Sequence, residues 1–92
     1  MSMSREAFLR QLPAAAGGVP FLRREAGDGA VLLEHQDAGR RWRIRLDPLP
    51  DRRLGALNLE RIRVQLALEG FSLQEEEAWL ERFRAHFQRA GG

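Results

Sequence analysis

Val31-Leu32-Leu33-Glu34-His35-Gln36-Asp37-Ala38-Gly39-Arg40-Arg41-Trp42-Arg43-Ile44-Arg45-Leu46 reads as two alternating strands around a turn. Closing a loop over Asp37–Arg40 and pairing outward sets His35 opposite Trp42, Leu33 opposite Ile44 and Val31 opposite Leu46, all on one face. Gln36, Glu34 and Leu32 then oppose Arg41, Arg43 and Arg45 on the other face. A slip of one residue would send every apolar side chain to the wrong side, so the pattern specifies its own register.

Working outward, Gly27-Asp28-Gly29 is a second hairpin turn and adds a strand before Val31. A two-residue loop there puts Leu22 inside and a three-residue loop puts Phe21 inside; the sequence leaves both open. On the other side, Asp47-Pro48-Leu49-Pro50-Asp51 is expected to end the third strand, because proline cannot donate to a ladder. A fourth strand follows, with Ile62, Val64, Leu66 and Leu68 alternating against Arg61, Arg63, Gln65 and Glu69. Leu57 and Leu59 have the wrong parity for that core face; a bulge near Glu60-Arg61 would correct them, and a separate short strand would also serve.

Helices bracket the strands. Ser4 is a suitable N-cap, and Phe8, Leu9 and Leu12 recur at helical spacing. Pro13 is expected to limit this helix, with Ala14–Ala16 adding a turn before Gly17-Gly18. Near the C-terminus, Ser72 and Glu75 form a capping box. Glu75, Glu76 and Glu77 precede Arg82, Arg84 and Arg89, the charge order a helix dipole favours. Trp79, Leu80, Phe83 and Phe87 form one apolar stripe that should lie across the sheet, with the helix stopping at Gly91. The expectation is one α+β domain over residues 1–92: N-terminal helix, four-stranded antiparallel meander, long C-terminal helix on one sheet face, in the order αββββα.

Composition narrows the chemistry. The chain has 92 residues and no Cys, and Lys, Thr and Tyr are absent as well. That excludes disulfides, a thiolate or Thr nucleophile, a Schiff-base Lys and a Tyr acid. All basic residues are Arg, yet the net charge is only +2, a weak argument for a nucleic-acid partner and none for a membrane. No apolar run approaches the ~20 residues of a spanning helix, and Met1 to Leu12 lacks a secretory h-region, so a soluble cytoplasmic protein is expected.

Few constellations resemble sites. His35 with Asp37, and His86 elsewhere, are too few for a catalytic metal, which takes about three protein ligands. Glu75-Glu76-Glu77 point in different directions around a helix and form no acid–base dyad. Ser2, Ser4 and Ser72 have no base beside them, and the glycine pairs lack a Walker-type Lys. No catalytic residue, cofactor or metal is expected. Arg41, Arg43, Arg45 and Arg63 share the outer sheet face and are the candidate surface for a polyanion or other partner, although no aromatic accompanies them for base stacking. Leu49, Leu54, Leu57 and Leu59 are more apolar than a solvated connection requires and form a candidate docking edge. The expectation is a non-catalytic interaction or assembly module, taking another protein or a second copy of itself. Nucleic-acid or polyanion binding through the arginines is the alternative.

Overall fold

The structure, a computed structural model, describes residue 1 and residues 3–89. Its elements are α1 (Arg5–Ala15), β1 (Leu22–Glu25), β2 (Val31–Asp37), β3 (Arg40–Leu54), β4 (Leu57–Glu69) and α2 (Leu73–Arg89). The strands form one antiparallel sheet in the order β1-β2-β3-β4, giving the αββββα arrangement. Both helices cover the same sheet face, so the sheet has one dry side and one bare side.

The β2–β3 register is the one the alternation demands: Val31 faces Leu46, Leu33 faces Ile44 and His35 faces Trp42. The turn closes on Ala38-Gly39, both with positive φ (50° and 79°), the backbone of the tight hairpin whose twist matches its strands. β1 settles the alternative left open by sequence. Ala26 N–H bonds the Ala30 carbonyl at 2.8 Å, closing a three-residue loop over Gly27–Gly29. Phe21 therefore turns inward against Trp42, with ring centroids 5.8 Å apart, and Leu22 is left 75% exposed.

Val31, Leu33, Trp42, Ile44, Leu46 and Ile62 from the sheet meet Phe8, Leu12 and Ala15 of α1 and Trp79, Phe83 and Phe87 of α2 in a single core. An aromatic chain runs through it: Trp42 contacts Trp79, Trp79 stacks on Phe83, and Phe87 stacks on Phe8 at 4.5 Å. The order of these contacts places the apolar stripe of α2 across the sheet with α1 beside it. α1 continues through Pro13 rather than being limited by it. Its end is closed by Gly18 N–H to the Pro13 carbonyl at 2.7 Å and by Arg82 Nε to the Ala15 carbonyl at 3.2 Å. The expected stop of α2 at Gly91 lies outside the described residues, as does Ser2.

β4 turns into α2 at Gly70, where φ is +75° and a Cβ would stand 2.1 Å from the Gly39 carbonyl oxygen. Only glycine fits there, and its contact sets the β2–β3 turn against the start of α2. Ser72 then caps α2: Glu75 N–H bonds the Ser72 hydroxyl, and Ser72 N–H bonds Glu75 Oε1 at 2.9 Å.

The third strand does not end at Asp47. β3 runs through both prolines to Leu54 and pairs with β4 from Arg41 to Leu54, with one interruption between Leu49 and Arg52. Ile62 directs its N–H and carbonyl away from β3, to the Met1 carbonyl and amine at 3.0 and 2.8 Å. Its facing pair with Pro48 is therefore a non-hydrogen-bonded one. The N–H that Pro48 lacks would have pointed to the opposite edge of β3, where β2 has already ended at Val31 opposite Leu46. Proline costs no ladder bond at such a site.

Candidate functional site

β3 and β4 have 15 and 13 residues against 7 in β2 and 4 in β1, so their far ends leave the sheet as a two-stranded arm. The arm stretches the molecule to 48 × 31 × 19 Å. Leu54 pairs with Leu57 across a two-residue turn, Arg52 with Leu59, and Leu49 with Arg61. A bulge is present, but on the opposite strand from the one expected, and it does not return Leu57 and Leu59 to the core face: between Leu49 and Arg52, β3 spends Pro50 and Asp51 against the single Glu60 of β4.

That bulge decides which side chains share a face. It leaves Leu57 and Leu59 on the outer parity of β4, so they belong to the fourth strand but not to the core side. On β3 it shifts Arg52 and Leu54 by one, onto the same outer side as Leu49. All four leucines of the sequence-derived docking edge thus fall on one face of the arm, continuous with the bare side of the sheet. Leu54 is 50% exposed and Leu57 65%, with Leu49 and Leu59 half-buried between the flanking side chains. The reverse face is polar: Arg53 Nε bonds Asn58 Oδ1 at 3.2 Å, and Glu60 accepts from Arg5 N–H at 3.3 Å. Arg61 Nε donates to the Pro50 carbonyl at 3.1 Å, holding the bulge from the facing strand.

The arginines divide into two groups. On the sheet, Arg41 lies 2.7 Å from Glu34, Arg43 lies 2.6 Å from Glu69, and Arg45 pairs with both Asp28 and Asp47. The Arg41 guanidinium holds the Glu34 carboxyl below its usual range, and the Ala30 N–H, followed by Arg45, does the same for Asp28. Arg24, Glu34, Arg41, Arg43 and Arg45 flank a 350 Å³ groove with Leu32, Gln65 and Ala67; Arg41, Arg43 and Arg45 are compensated, whereas Arg24 has no carboxylate within ion-pair distance among the described residues. Arg63 likewise has no carboxylate within ion-pair distance among the described residues, and neither do Arg52, Arg53 or Arg61 on the arm. The four arginines grouped by sequence share a face as expected but not a chemical state.

No protein-family model matches this chain, and no curated protein or solved structure is significantly similar to it.

His35 and Asp37 do reach a common pocket of 220 Å³ with Arg40, Trp42, Trp79 and Arg82. His35 Nδ1 is engaged by the Pro20 carbonyl at 2.6 Å, its ring lies 5.9 Å from Trp42, and Arg40 is paired with Glu75. These contacts fasten the Val19–Phe21 segment and the start of α2 to the sheet end. No group of three or more potential metal ligands occurs among the described residues, and His86 lies apart, in a hollow between turns of α2. Sequence reasoning missed the bulge at Pro50-Asp51; the proline pair was its signal, read as the end of a strand instead of a change of phase.

Proposed function

We propose that this chain is a non-catalytic protein-interaction module that receives its partner on the leucine face of the β3–β4 arm. One observation carries the reading: two strands are brought into phase by a bulge so that four leucines line one face of an extension, the face opposite the one that meets the start of α1, and no other element packs on it among the described residues. A two-stranded ribbon alone is only marginally stable in water, and an exposed apolar row is a liability unless it is covered in use. No helix among the described residues is long and apolar enough to cross a membrane, and the cysteine-free composition suits the reducing cytoplasm, where we place the protein.

The experiment is affinity capture of the tagged protein from its own cells, wild type beside Leu54→Ser/Leu57→Ser. Both side chains are solvent-facing, so the variant keeps its circular dichroism and melting temperature. A partner retained by wild type and lost from the variant is the expected result. An identical set of retained proteins would remove the arm from the interaction.

Polyanion binding through the sheet is less well supported. Arg41, Arg43 and Arg45 already have carboxylate partners, which a phosphate backbone would have to displace.

A further inference from the structure

Resting on the arm as the docking surface, we infer that its occupant is an acidic amphipathic protein segment, with apolar side chains on the leucines and carboxylates on Arg52, Arg61 and Arg63. On the sheet, Arg41, Arg43 and Arg45 carry their own carboxylates, whereas Arg52, Arg61 and Arg63 beside the leucines have none among the described residues. Arg52 stands opposite Leu59 and Arg61 opposite Leu49, with Arg63 one step further on the same face. Covering the leucines desolvates these guanidinium groups, and a buried charge without a counter-charge is strongly unfavourable. The covering element must therefore bring carboxylates, which guanidinium forks accept bidentately.

The same charges argue against the other occupants. A second copy placed face to face would bring arginine rows together, and Asp47, Glu34 and Glu69, acidic groups on this side, are already held by Arg45, Arg41 and Arg43. A lipid surface would suit a tip that is apolar all round, but the reverse face carries Arg53, Asn58 and Glu60. Single-stranded nucleic acid normally adds aromatic stacking, and the arm has no aromatic residue.

The test uses two synthetic peptides of about 18 residues, long enough for a helix, with the same leucine stripe and either Glu or Lys at the remaining positions. Binding to the full chain is followed by fluorescence anisotropy at low and at physiological salt. The Leu/Glu peptide is expected to bind at least ~10-fold more tightly than the Leu/Lys peptide, a difference of about 1.4 kcal/mol. Arg52→Gln/Arg63→Gln should reduce that preference to under ~3-fold, and Leu54→Ser/Leu57→Ser should abolish binding of both. Equal affinities, no binding, or a preference untouched by the arginine changes would overturn the inference. So would tighter binding to phosphatidylserine vesicles or single-stranded DNA, or light-scattering dimers dispersed by the leucine changes. If cellular capture needs the leucines but ignores Arg52→Gln/Arg63→Gln, the acidic partner is rejected and the interaction module stands.

Discussion

Ala38 is the one non-glycine residue with positive φ among the described residues, at 50° in the β2–β3 turn. A side chain in the left-handed region costs roughly 1 kcal/mol that glycine avoids, partly offset by glycine's looser unfolded state. Ala38→Gly should therefore stabilise the protein by about 0.5 kcal/mol, read by urea denaturation; a loss of stability would mean that the turn does not have this geometry. Glu75 supplies a second residue-scale prediction. The Ser72 backbone N–H, then its hydroxyl, and then Arg40 hold the Glu75 carboxyl below its ordinary value of 4.5. A folded-state value below the unfolded one stabilises the fold at pH above 4.5, and the contribution is lost as pH falls through the folded value. Melting temperature followed from pH 7 downward should thus fall less steeply below 4.5 in Glu75→Gln than in wild type. Superimposable slopes would exclude Glu75 from the acid response.

Among the elements, β3 shows how a strand tolerates proline by phase. Pro48 faces Ile62 in a non-hydrogen-bonded pair, and alternation makes the neighbouring Asp47–Arg63 pair a hydrogen-bonded one. Asp47→Pro should cost at least ~1 kcal/mol more than Asp47→Ala, since it removes a ladder donor and orphans its acceptor. The alanine control absorbs the loss of the Arg45 pair. Pro48→Ala should stay within ~0.5 kcal/mol of wild type. Comparable losses at 47 and 48 in chemical denaturation would show that the ladder is out of register with the one described. The same prolines mislead a reading along the chain: their edge is free only because β2 stops at Val31, a fact about a different strand.

For the whole molecule, the division of charge matters more than its sum. With a net charge of +2 and 15 arginines, Arg41, Arg43 and Arg45 on the sheet are compensated and the arm face is cationic. Labelled single- or double-stranded oligonucleotides at low salt, where counterion release favours binding most, should therefore bind weakly and without base preference. That binding should be no weaker after Arg41→Gln/Arg43→Gln, because those guanidiniums are already engaged. Tight binding lost in that variant would restore the polyanion reading. The bare sheet side and the leucine face form one continuous surface, so a partner held on the arm, as proposed, would lie next to the groove between Arg41, Arg43 and Arg45.

Period-two alternation around Asp37–Arg40, the capping box at Ser72 and the aromatic stripe from Trp79 to Phe87 determined the αββββα order, the β2–β3 register and the dry face of the sheet by themselves. Each depends on neighbours a few residues apart or on a hairpin, whose turn ties register to local sequence. The inward turn of Phe21, the passage of β3 through Pro48 and Pro50, and the common face of Leu49, Leu54, Leu57 and Leu59 were decided only in three dimensions. The first depends on how many residues the Gly27–Gly29 loop closes over, the second on where another strand ends and the third on which strand takes the surplus residue, and all are settled by pairing between chain segments, not within one.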